Sequence, residues 1–198
     1  LSFIYVDTGA MYRAMALYMI EHKIDVSHLD EVGSACDAIT IDVQYSAGEQ
    51  QVILNGKNVN DFIRTETVSE MSSKISAIPE VREKLLSLQR SLAAAENVIM
   101  DGRDIGTHVL PNADVKIFLT ADAHVRAVRR YEEFIAKGVS CTLENVEREV
   151  IERDERDMNR AIAPLKQAED AVRVDTSAMT IEEVVCYLKN LIGQAVAR

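Results

Sequence analysis

Residues 3–13 read FIYVDTGAMYR and residues 97–107 read NVIMDGRDIGT, two short apolar runs that each stop at an aspartate and a glycine. FIYV at 3–6, aromatic and β-branched and bounded by Asp7-Thr8-Gly9, predicts a buried strand and a turn. Helical spacing of Met11, Met15, Leu17 and Ile20 then predicts a helix from about Ala10 to Glu21. NVIMD at 97–101, VKIFL at 115–119 and AVRVD at 171–175 read as further buried strands, with charged helices at 123–137 and 143–158. Apolar strands separated by helices predict an α/β fold, a parallel sheet covered on both faces. Ligands of such sheets sit at the carboxyl ends of the strands, where both polar motifs fall.

The stretch between these strands has another rhythm. A short helix near 29–37 leads to a period of two through Ile39, Ile41, Val43 and Tyr45. Gln51–Leu54 followed by Asn55-Gly56 predicts a strand entering a tight hairpin, because Asn-Gly tolerates positive φ. Helical periodicity returns at 64–77 through Val68, Met71 and Ile75, and Pro79 breaks it. Val81, Leu85, Leu88 and Leu92 mark one face of the next helix. Residues 10–95 are therefore expected to form a lobe inserted into a core made of 1–9 and 96–198. Near the far end, Thr180 and Glu183 fit a capping box, and Ile181, Val184, Leu188 and Ile192 predict a buried stripe on the final helix.

A chain of 198 residues, 47% hydrophobic, can bury a real core in one domain or a core with an insertion. No run approaches the ~20 apolar residues of a membrane span, and the start LSFIYVDTGA lacks the apolar length of a secretory leader. Cys36, Cys141 and Cys186 are far apart and odd in number, so a reducing, cytoplasmic setting is expected. A net charge of −10 argues against general nucleic-acid binding. Arginines nevertheless cluster at Arg126, Arg129 and Arg130 and at Arg153, Arg156 and Arg160, which suits a small phosphorylated ligand.

Each polar motif has a plain and a chemical reading. In DTGAMYR at 7–13, Arg13 is either a surface arginine behind a helix cap or a fork for two phosphate oxygens. In DGRDIGT at 101–107, Arg103 could bind phosphate and Asp104 could accept from an exocyclic amine, although an ordinary polar loop would look similar. Arg153, Asp157 and Arg160 fall at i, i+4 and i+7, one face of a helix, which is either a phosphate clamp or a solvated set of ion pairs. The four histidines are scattered, and no hydrolase or metal constellation emerges.

The order of the motifs is more specific than any one of them. DTGAMYR, IRTETV at 63–68, DGRDIGT, ERDERDMNRAIAPL at 152–165 and DAVRVDTS at 170–177 resemble the successive signatures of bacterial cytidylate kinases, from Leu1 to the final helix. The resemblance implies a three-layer nucleoside monophosphate kinase core of the P-loop NTPase kind. It also implies an inserted α+β monophosphate-binding lobe and a helical lid at about 140–165. The implied activity is ATP-dependent phosphorylation of CMP and dCMP, with Mg2+ between the phosphates, by a cytoplasmic monomer of pyrimidine nucleotide metabolism. Carried over by position, Ser73, Arg82 and Asp104 would read the cytosine edge, and Arg13, Arg103 and Arg160 would hold the CMP phosphate. Arg153 would face the transferred group, Asp157 the ribose hydroxyls, and Asp7, Thr8 and Tyr12 would line the same pocket. Arg126 and Arg130 would contact the ATP side, and Arg64 would help shape the lobe.

The chain departs from the pattern in places. Met158 stands where the family often has another basic residue, and Thr8 where serine is also common. The eight glycines are dispersed and form no Gly-x-x-x-x-Gly-Lys-[Ser/Thr] loop, which the family carries just upstream of the strand at 3–6. The expectation is a truncated chain, complete at its acceptor site and weak or inactive as given. The alternatives are another monophosphate kinase, with UMP or AMP as acceptor, and a non-catalytic nucleotide-binding protein.

Overall fold

The computed structural model describes residues 3–46 and 48–196, which form two compact units divided between Ile105 and Gly106. It is a mixed α/β fold with parallel strand pairs, as the apolar strands separated by helices predict.

The first unit runs β1 (Ile4–Asp7), α1 (Thr8–Glu21), α2 (Leu29–Ala38), β2 (Ile41–Ser46), β3 (Glu49–Leu54), β4 (Lys57–Asn58), α3 (Glu66–Ile75), α4 (Pro79–Ala95) and β5 (Val98–Asp101). Strands β1 and β5 pair in parallel, in a register that runs from Ile4 opposite Val98 to Asp7 opposite Asp101. Strands β2, β3 and β4 make a separate antiparallel sheet. Its β3–β4 turn is the predicted hairpin, with Asn55 at φ 47° and Gly56 at φ 81°. Helix α1 starts at Thr8, earlier than the apolar spacing alone suggests, because the Asp7 carboxylate accepts from the Ala10 amide at 3.0 Å and caps it. Pro79 opens α4 as a first-turn residue, where its missing N–H has no helical partner to lose. The core gathers Met11, Met15 and Met19 of α1 with Val32, Ile39, Ile75, Val81 and Leu85, all fully buried.

The second unit holds β6 (Ile117–Thr120), α5 (Ala123–Ala136), α6 (Leu143–Asn159), β7 (Val172–Asp175) and α7 (Ile181–Val196). A single π-turn at Ile105–Val109 precedes them, a geometry common at functional sites. Strands β6 and β7 pair in parallel, from Ile117 opposite Val172 to Thr120 opposite Asp175. The expected full burial of the parallel strands does not hold in either pair: Tyr5 of β1, Ile99 of β5, Leu119 of β6 and Val172 of β7 are exposed, in sheets of only two strands. The capping box on α7 is present, with the Thr180 amide donating to Glu183 at 2.8 Å and the Glu183 amide to Thr180 Oγ1 at 3.3 Å. Its stripe is only half covered at Val184, Leu188 and Ile192. Ile181 lies on the same stripe by helical angle yet is 79% exposed, because it sits in the first turn beyond the covered length. Among the described residues, no helix is long and apolar enough to cross a membrane.

Candidate active site

Parallel pairing of β1 with β5 sets the two polar motifs of the first unit side by side at the carboxyl ends of the strands. Asp7 Oδ1 caps α1, while Asp7 Oδ2 accepts from Arg13 Nη2 at 2.8 Å, so one carboxylate starts the helix and aims its arginine. Buried Thr8 donates from Oγ1 to the Asp101 carbonyl at 2.7 Å and ties the two strand ends together. Gly102 follows directly, and a Cβ there would lie 2.6 Å from Thr8 Oγ1 and 2.8 Å from the Ile105 side chain. Close approach, not an unusual φ, demands glycine at this turn.

The carboxylates at the strand ends act on each other. Asp101 keeps part of its surface open, yet desolvation by its surroundings and then the Asp7 charge push its carboxyl above the usual range. The neighbouring Tyr5 hydroxyl is pushed up to about 12 by partial burial and by the charges of Asp101 and Asp7. Arg103 stands exposed beside Asp101, and Tyr12 packs half-buried against the core.

Arg82 of α4 and Asp104 form an ion pair with both side chains more than nine-tenths buried. Arg82 also donates to the Ser76 carbonyl at 3.1 Å, which ties it to the residue that caps α3. Ser73, one turn back on α3, accepts from Ser76 Oγ at its carbonyl at 2.8 Å. The trio expected to read a base edge thus gathers around the α3–α4 junction. Two further donors are notable: Nε of Arg13 and Nε of Arg82 are buried and meet no acceptor among the described residues.

In the second unit, Arg153 and Asp157 lie on α6, but Arg160 does not continue their helical face. The helix ends at Asn159, and Arg160 is its C-cap in extended conformation. The chain then folds back, the Leu165 amide donating to the Asp157 carbonyl at 2.8 Å and Arg160 Nε to the Ala163 carbonyl at 2.6 Å. The turn contains Ala163 at φ 45° just before Pro164, a residue that cannot continue a helix. Arg160 still reaches Asp157 at 3.9 Å, with both side chains buried. Spacing finds this pair for the wrong reason, because a tight turn brings it together instead of a helix face.

The arginines of α5 are engaged across to α6 and β7. Arg126 makes a two-pronged contact with Asp154 at 2.6 and 3.1 Å and donates to the Ala121 carbonyl at 3.0 Å. Arg130 lies 3.8 Å from Glu149 and stacks over the Phe134 ring. Arg129 donates to the Thr176 carbonyl at 2.7 Å, a structural tie at the end of β7.

The family model described as cytidylate kinase matches residues 1–194. The chain belongs to the cytidylate kinase family. It is 49% identical to the cytidylate kinase of Carboxydothermus hydrogenoformans over 196 residues, 98% of this chain and 87% of the relative. It is 45% identical to that of Lactobacillus johnsonii, over 97% of this chain and 84% of the relative. For that of Bacillus cytotoxicus the identity is 43%, over 100% of this chain and 88% of the relative.

Two polar residues at the strand ends of this cytidylate kinase family member escape a sequence reading. Gln50 of β3 bonds both backbone groups of Asp7, and Tyr45 of β2 donates to the Tyr5 carbonyl at 3.0 Å. Both sit at ordinary positions of an antiparallel sheet, and no local signal separates Gln50 from Gln44 or Gln51.

Proposed function

We propose that this protein transfers the γ-phosphoryl group of ATP to CMP, and to dCMP, with Arg13, Arg82 and Asp104 of the first unit among the side chains that recognise the acceptor. Family membership supports the reaction, and the two buried guanidinium donors without an acceptor carry the assignment of the site. A buried donor left unsatisfied costs stability, which a ligand acceptor restores on binding. Arg13, aimed by Asp7 and standing at a strand end, suits phosphate oxygens. Arg82 and Asp104 pair donor groups with an acceptor carboxylate, a combination that suits cytosine, whose N4 amine donates and whose O2 and N3 accept.

The remaining roles follow the chemistry of phosphoryl transfer, in which the protein positions reactants and compensates negative charge. Arg103 and Arg160 are assigned to the acceptor phosphate, Arg153 to the transferred group and Asp157 to ribose hydroxyls. Thr8 and Tyr12 shape the pocket wall, Ser73 joins the base readers, and Arg126 and Arg130 serve the ATP side. The α6 helix with the turn at 160–165 is the lid, whose closure keeps water from the reaction. Mg2+ would arrive with the nucleotide phosphates, where it compensates charge. The described residues bring together no three metal-ligating side chains, and guanidiniums dominate the inventory.

Calorimetric titration with CMP, UMP and AMP tests this reading without requiring turnover. CMP is expected to bind at least about tenfold more tightly than either competitor. Equal affinities would point to another monophosphate kinase, and no binding to any of the three would overturn the acceptor-site reading.

A further inference from the structure

Strand β1 pairs with β5 along one edge, and side chains from the antiparallel sheet cover backbone groups of β1 as well. Gln50 Oε1 accepts from the Asp7 amide at 2.7 Å, and Gln50 Nε2 donates to the Asp7 carbonyl at 3.2 Å. A carboxamide carries the same donor and acceptor as a peptide group, so Gln50 pairs with Asp7 as one residue of a neighbouring strand would. Gln50 is itself held, because Asn60 Nδ2 donates to its carbonyl at 2.8 Å while Asn60 Oδ1 accepts from the Val52 amide at 2.9 Å. Tyr45 adds a second link, to the carbonyl of Tyr5.

The residue clamped in this way is no ordinary edge residue. Asp7 leaves the strand, caps α1 with one carboxylate oxygen and holds Arg13 with the other. The direction of that carboxylate follows from the Asp7 backbone, which Gln50 fixes at both N–H and C=O. We propose that Gln50 is a positioning residue for phosphate binding, acting through Asp7 on Arg13, so that the small antiparallel sheet is part of the phosphate site. The inference rests on the reading of Arg13 as a ligand of the acceptor phosphate.

The route through Arg13 makes a prediction that general loosening of the lobe does not. Cytidine has the base of CMP but no phosphate, so a fault in Arg13 alone affects only CMP. Gln50→Ala is expected to weaken CMP about tenfold while leaving cytidine affinity unchanged, both read by calorimetry. Gln50→Glu keeps the length and an acceptor for the Asp7 amide but loses the donor, and should lower the CMP-to-cytidine ratio by a smaller factor. It also serves if the alanine variant does not fold, as judged by its melting transition. Tyr45→Phe removes only the link to Tyr5 and should leave the ratio unchanged. CMP and cytidine weakening together, no change in either, or an equal effect of Tyr45→Phe would each overturn the role of Gln50. A parent protein that binds no CMP would instead overturn the acceptor-site reading, and this inference with it.

Discussion

The two units are stabilised by different means. The first has a continuous apolar core in which three methionines of α1 meet aliphatic residues from α2, α3 and α4. Among those described, each unit also has an ion pair with both side chains buried, Arg82–Asp104 in the first and Asp157–Arg160 in the second. In the second, the helices α5 and α6 meet over a small cluster of Ala127, Val146 and Val150. Three polar contacts lash the same helices together: His124–Glu147, Arg126–Asp154 and Arg130–Glu149. Pairs this open to solvent are weak and screened by salt, while a buried leucine contributes about 1.5–3 kcal/mol. The difference suits the proposed division of labour, since a base-reading site needs fixed geometry and a lid must open at modest cost.

The largest effect is expected where a charge is buried. Asp104→Ala leaves Arg82 in the core without its carboxylate, a change that typically costs about 3–5 kcal/mol. The same substitution should shrink the preference for CMP over UMP, measured by calorimetry on the folded variant. An unchanged preference would remove Asp104 from base reading and leave it a purely structural partner. The next contrast sets the two cores against each other by chemical denaturation. Leu85→Ala should cost about 2–5 kcal/mol, by lost transfer energy and the cavity left behind. Val146→Ala, in the small cluster between α5 and α6, should cost roughly 1–2 kcal/mol. Equal losses would abolish the distinction between a rigid unit and a loosely built one.

Much of this was legible in the sequence, and the exceptions share a cause. Strands and helices follow from local periodicity, and the Asn55-Gly56 hairpin and the Thr180–Glu183 cap follow from local chemistry. Helix ends were less legible because side chains set them: Asp7 starts α1 two residues early, and the turn through Ala163 takes Arg160 off the α6 face. Burial of α7 and of the four parallel strands is less complete than their sequences suggest, because apolar spacing states which face can be covered but not how much of it is. Motif order put Arg82 and Asp104 at one base edge without showing that they pair directly, 22 residues apart, and no pattern links Gln50 to Asp7, 43 apart. Such pairings belong to the folded chain alone.

The smallest expected effect tests the ion-pair lashing itself. His124, in the first turn of α5, lies 3.0 Å from Glu147 of α6, and both side chains are open enough for salt to screen the pair. The hydrogen bond to Glu147, and then its charge, favour the imidazolium and raise the His124 pKa above the ordinary 6.5. The folded state therefore holds this proton more tightly than the unfolded chain does. Its stabilising contribution is complete below about pH 6.5 and fades as pH rises through the raised folded value. An NMR titration should find His124 above the usual range, and Glu147→Gln should bring it back down and remove that segment of the pH dependence. If His124 titrates unchanged in the variant, the contact exerts no electrostatic pull in solution, and the second unit relies on its small apolar cluster more than the geometry suggests.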